Sequence, residues 1–127
     1  MTELINDKIM NNNFDLEERT AKFGEQVILM CKSINVDNIN NSLINQVIRS
    51  ATSVGANYCE ANASSSRKDF RNKIHICKKE AQETKHWFRM LATSNPEKKE
   101  ELQKLWNECQ ELTLIFGKVL STLNKSK

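Results

Sequence analysis

Gln46-Val-Ile-Arg49-Ser-Ala-Thr-Ser53-Val-Gly55-Ala-Asn57-Tyr-Cys-Glu60 is the stretch whose reading decides the fold. Val47, Ala51, Val54, Tyr58 and Ala61 recur at steps of four and three, which puts them on one face of a helix. Gln46, Arg49, Ser53, Asn57 and Glu60 recur in the same way on the opposite side. A solvent-facing helix is served by Lys and Glu in any order, so this ordered polar row points to another protein surface. Gly55, beside the apolar face, costs the helix about 1 kcal/mol relative to Ala unless close packing requires it.

The same period extends in both directions. Upstream, Leu16, Thr20, Phe23, Val27, Met30 and Ile34 define a first helix, with Asp15 as N-cap and Glu17 and Glu18 favouring the dipole of the first turn. It is predicted to stop near Asn35, with 36–41 as a polar connection and the second helix running from about Ser42 to Ala61. Ser66 and Asp69 have the spacing of a capping box for a third helix, from Arg67 to about Ala92. Pro96 restricts Asn95 and suits the first turn of a fourth helix. That helix reaches about Leu123 with Leu102, Leu105, Trp106, Cys109, Leu112, Phe116, Val119, Leu120 and Leu123 on one face.

Short connections make consecutive helices neighbours. The prediction is therefore all-α: an antiparallel up-and-down four-helix bundle over residues 15–123. Residues 1–14, with three consecutive Asn, read as a mobile lead-in in which Phe14 would staple the first helix, and residues 124–127 as a frayed end.

One Pro and three Gly in 127 residues are too few for an all-β chain of many turns. The four Cys form no C-x-x-C pair, no signal peptide is legible, and no apolar run reaches the roughly 20 residues of a membrane span. A cytoplasmic protein with free thiols and no membrane partner is expected. Net charge is only +3, from 19 basic and 16 acidic residues, so distribution matters more than the total.

The third helix has three faces. Phe70, Ile74, Cys77, Ala81, Thr84, Phe88 and Leu91 are its core file. A second file, Lys73, Ile76, Glu80, Glu83, Trp87 and Met90, fits either a subunit interface, where aromatic and Met anchors are enriched, or a wide core stripe with exposed glutamates. On the interface reading, Arg49 is a natural partner for Glu80 or Glu83. The third file, Lys68, Arg71, His75, Lys78, Gln82, Lys85 and Arg89, contains no acid. Residues 67–89 hold eight Lys or Arg against three Asp or Glu. Phosphate backbones bind such ridges through charge and counterion release, although most charge runs are solvated faces paired with neighbouring acids.

Ile44-Asn-Gln-Val-Ile-Arg-Ser-Ala-Thr-Ser-Val-Gly-Ala-Asn-Tyr-Cys-Glu-Ala, Ser66-Arg-Lys-Asp-Phe-Arg-Asn-Lys-Ile and Lys79-Glu-Ala-Gln-Glu-Thr-Lys-His-Trp-Phe resemble the four-helix-bundle family of 23S ribosomal RNA intervening-sequence proteins. The resemblance spans roughly residues 14–123. It implies a ring of identical protomers, typically a homopentamer, encoded within bacterial large-subunit ribosomal RNA genes or elsewhere in the genome. It also implies kinship with the basic-ring accessory proteins of diversity-generating retroelements, which bind a reverse transcriptase and nucleic acid. The matching positions Arg49, Ser53, Asn57, Glu60, Glu80, Glu83 and Trp87 are then structural and assembly residues. Tyr58-Cys59 stands where the family more often has smaller or aliphatic residues.

Catalysis would need Cys59 or Cys77 with His75 or His86, but His75 and Cys77, two apart on one helix, point in different directions. Glu83 and His86 form one Glu-x-x-His pair, and a di-iron bundle needs two. No Walker loop, dinucleotide fingerprint or hydrolase elbow is present. The expectation is a non-enzymatic adaptor with no metal and no cofactor. Lys68, Arg71, His75, Lys78, Lys79, Lys85 and Arg89 would bind RNA or DNA. Arg49, Ser53, Asn57, Glu60, Ile76, Glu80, Glu83, Trp87 and Met90 would meet another copy. The alternative is a docking platform for a partner enzyme such as a reverse transcriptase.

Overall fold

A computed structural model describes residues 15–125, so the lead-in and Phe14 lie outside the described residues, as do the last two. It contains α1 (Leu16–Lys32), α2 (Asn38–Asn62), α3 (Arg67–Ser94), a 3-10 turn (Pro96–Lys98) and α4 (Lys99–Lys125). Among the described residues there is no strand.

Caps set the starts. Asp15 accepts from the backbone N–H groups of Glu17 and Glu18, and Ser66 Oγ accepts from Asp69 N at 3.1 Å. The second start departs from expectation. Asp37 caps α2 by accepting from Asn40 N at 2.7 Å, so the helix begins at Asn38 rather than near Ser42. Asn40 is buried, and Asn95 Nδ2 donates to its Oδ1 at 2.9 Å, as does Ser94 Oγ at 2.8 Å. This polar knot ties the start of α2 to the end of α3, which a surface connection could not do. Three further boundaries move: α1 ends at Lys32, α3 continues to Ser94, and the fourth helix enters through a 3-10 turn. Asn124 and Lys125, expected to fray, still belong to α4.

Consecutive helices run antiparallel, as cross-links near their ends show. Asn62 reaches Glu17, Lys73 reaches Glu60, and Arg67 donates to the backbone oxygen of Leu123. α2–α3 and α3–α4 pack most extensively, and α1 closes against α4. The predicted apolar files meet in one core in which Phe23, Tyr58, Phe70, Phe88 and Phe116 are fully buried. Only Trp106, of the residues assigned to the core of the fourth helix, stays half-buried. Gly55 is explained: a Cβ there would lie 3.4 Å from the carbonyl oxygen and from Oγ1 of Thr20, so its absence lets α1 and α2 approach closely. Tyr58 sits in the core with its ring 6.3 Å from that of Phe116.

Candidate functional site

Helix α3 has two flanks, one against α2 and one against α4. Inside the bundle they are alike. Cys77 Sγ donates to Val54 O of α2 at 3.5 Å, and Cys109 Sγ of α4 donates to Ala81 O of α3 at 3.0 Å. Burial pushes both thiols up to about 12 from the ordinary 9.0. They are protonated small hydrophobes at neutral pH, a poor state for a nucleophile. Among the described residues no three His, Cys, Asp or Glu side chains cluster in a way that could hold a metal ion.

On the α2 side every charge in the predicted row has a partner within the chain. Arg49 bonds Glu80 at 3.3 Å and also bonds Glu83. Trp87 Nε1 donates to the same Glu83 oxygen at 2.9 Å, and Lys73 Nζ bonds Glu60 at 2.6 Å, which raises the Lys73 pKa. Ser53 Oγ donates to Arg49 O at 2.6 Å, and Asn57 Nδ2 to Ser53 O at 2.8 Å. The structure thus gathers Arg49, Ser53, Asn57 and Glu60 with Lys73, Glu80, Glu83 and Trp87 into one continuous face whose two cations are paired with three carboxylates. Ile76 stands exposed beside it and Met90 is half-buried.

The α4 side is different. Lys85 Nζ donates to Gln110 Oε1 and lies 5.2 Å from the centre of the Trp106 ring. The Lys78 ammonium lies beside Gly117, 3.9 Å from where a Cβ would stand. Arg71 is half-buried and its Nε, hidden from solvent, makes no hydrogen bond among the described residues. Lys68, His75, Lys79 and Arg89 are exposed. No carboxylate bonds any of these seven residues in the described structure.

Charge periodicity on α3 alone misses what α4 adds. Gln103, Asn107, Gln110, Leu114, Gly117 and Ser121 recur at steps of four and three, a file with no acid that borders α3 through Gln110 and Gly117. Of the four acids of α4, Glu100 and Glu101 stand in its first turn, Glu100 one step before Gln103, and the other two face α1. Arg19 of α1 holds Glu108 at 2.7 Å and Glu111 at 3.0 Å, and the first of these bonds raises its own pKa. The Arg19 pairing joins positions 89 residues apart, and no local pattern announces it.

A family model described as "23S rRNA-intervening sequence protein" matches residues 12–118. A crystal structure of a protein of unknown function from the S23 ribosomal protein family, from Bacteroides thetaiotaomicron VPI-5482, is similar. It has a TM-score of 0.71 and 27% identity over 82% of this chain and 96% of that one. No curated protein matches.

Proposed function

Because the chain belongs to the family of 23S rRNA-intervening sequence proteins, we propose that it is a non-enzymatic, oligomeric adaptor that binds nucleic acid through the α3/α4 face. The observation that carries this reading is the segregation of charge. Lys68, Arg71, Lys78, Lys79, Lys85 and Arg89 share a surface without carboxylates, while Arg19 holds Glu108 and Glu111 on the far side of α4. Such a surface attracts phosphates by charge and by release of their counterions.

The α2/α3 face is the proposed contact between copies. Its charges are already paired within the chain, which lowers the cost of covering them, and exposed Ile76 with half-buried Met90 and Trp87 supply apolar area. A closed ring, five copies by analogy with the family, repeats the cationic face around its circumference and multiplies its field.

Light scattering of the purified protein with and without RNA, repeated at rising salt, tests both parts. The expected result is a multiple of 14.7 kDa, growing on RNA addition at low salt and losing RNA as salt rises. A monomer removes the ring. An oligomer indifferent to RNA at every salt concentration favours the reading in which a partner enzyme carries the nucleic acid. No helix among the described residues is long and apolar enough to cross a membrane.

A further inference from the structure

We infer that the α3/α4 face takes a nucleic-acid duplex, gripped by its phosphates along about one helical turn, and that α4 forms half of the contact. The inference rests on the nucleic-acid reading and specifies the ligand's form.

The shape of the face matches a duplex. The basic row from Lys68 to Arg89 lies on one continuous helix and is about 31 Å long. One turn of duplex is about 34 Å. From Gln103 to Ser121 the α4 file carries no acid and runs alongside it, in contact through Lys85–Gln110 and Lys78–Gly117, so the surface is two helices wide. Gln103 and Asn107, hydrogen-bonded to each other at 3.0 Å, are exposed neutral donors on its outer edge. A duplex presents phosphates across such a width.

Stacking surfaces are scarce among the described residues. Proteins that hold unpaired strands stack successive bases on aromatic rings. Among the described residues Tyr58 and every Phe are buried, and both Trp are half-buried, Trp106 beneath Lys85 and Trp87 on the other flank. The exposed rings are His75 and His86, about 16 Å apart along the helix and too distant to serve neighbouring bases. A duplex keeps its own bases stacked and needs no such platform.

Charge density favours the paired form as well. Duplex DNA carries one charge per roughly 1.7 Å, and each contacted phosphate contributes about −0.9 to the salt slope, against about −0.7 for a single strand. A fixed row of cations therefore gains more from the paired form. Contacts of this kind read no base sequence.

Fluorescence anisotropy with three probes of equal length tests the inference: an RNA duplex, a DNA duplex and an unpaired RNA strand. Both duplexes, or the RNA duplex alone, should bind at least about tenfold more tightly than the unpaired strand. Gln103→Glu/Asn107→Glu, which places two acids on the exposed edge of α4, should weaken duplex binding about tenfold with helicity unchanged by circular dichroism. Equal or tighter binding of the unpaired strand overturns the duplex inference and leaves the nucleic-acid reading standing. So does a normal preference in a protein whose duplex affinity ignores the α4 substitutions, as far as the role of α4 is concerned. Binding to none of the three probes at about 50 mM salt removes the underlying reading itself.

Discussion

The two flanks of α3 are built from the same helix and stitched by equivalent buried thiols, yet they differ at the surface. Toward α2, Arg49, Glu80, Glu83, Lys73 and Glu60 form ion pairs within the chain. Toward α4, cations meet an amide, an indole and a glycine, and no carboxylate. The difference teaches that net charge is a poor guide to this molecule. A total of +3 conceals one ion-paired face, with three carboxylates to two cations, and one whose cations bond no carboxylate among the described residues.

The largest expected effect falls on the open flank. Lys68→Glu/Lys79→Glu/Arg89→Glu should weaken binding to an RNA duplex by at least about 100-fold at moderate salt. Its melting temperature should stay within a few degrees of wild type, because all three side chains are exposed and lack partners among the described residues. Filter binding and thermal melting by circular dichroism read the two quantities. These three are better probes than Arg71, Lys78 and Lys85, which are half-buried, so that loss of binding there is confounded with loss of packing.

The next effect should appear on the paired flank. Glu83→Ala removes an acceptor from both Arg49 and Trp87 Nε1 and should cost about 1–2 kcal/mol in urea denaturation. Lys79→Ala on the open flank should stay within about 0.5 kcal/mol. Equal losses would erase the contrast in stability between the two flanks.

A third prediction concerns what the flanks share. Folded Cys77 and Cys109 keep their protons up to about pH 12, whereas the unfolded chain releases them near 9. Stability from this source is complete below about pH 9 and is lost as pH rises from 9 through 12. Cys77→Ser and Cys109→Ser should each flatten that alkaline decline to a similar degree in melts across pH 8–11. A decline unchanged in both variants would remove the thiols from the account. Among the substitutions that remove a contact, the smallest loss is expected of Lys85→Ala, about 0.5–1 kcal/mol in the same urea denaturation, through the lost contact with Trp106.

The bundle was legible because its core obeys one rule. The files from Leu16 to Ile34, Val47 to Ala61 and Phe70 to Leu91 repeat at helical spacing, and every member is buried. The start of α2 was hidden because Asn38, Ile39 and Asn40 look like loop residues, and only Asn95, 55 positions away, explains why Asn40 is inside. For the candidate site, the cations of α3 could be read from their spacing. The half contributed by α4 could not, since Gln103, Asn107, Gln110 and Ser121 carry no charge to mark them. Their relevance comes from which helix they border. The fate of Glu108 and Glu111 was equally invisible, being decided by Arg19 on another helix.

A charge-matched pair on one helix separates the flanks most directly. Lys73→Gln and Lys79→Gln each remove a single positive charge from α3, six residues apart, the first from the paired flank and the second from the open one. Plotting the logarithm of RNA-duplex affinity against the logarithm of salt concentration should show the slope shallower by about 0.9 for Lys79→Gln and almost unchanged for Lys73→Gln. Identical slopes for the two variants would contradict the assignment of the α3/α4 face as the surface that meets phosphate.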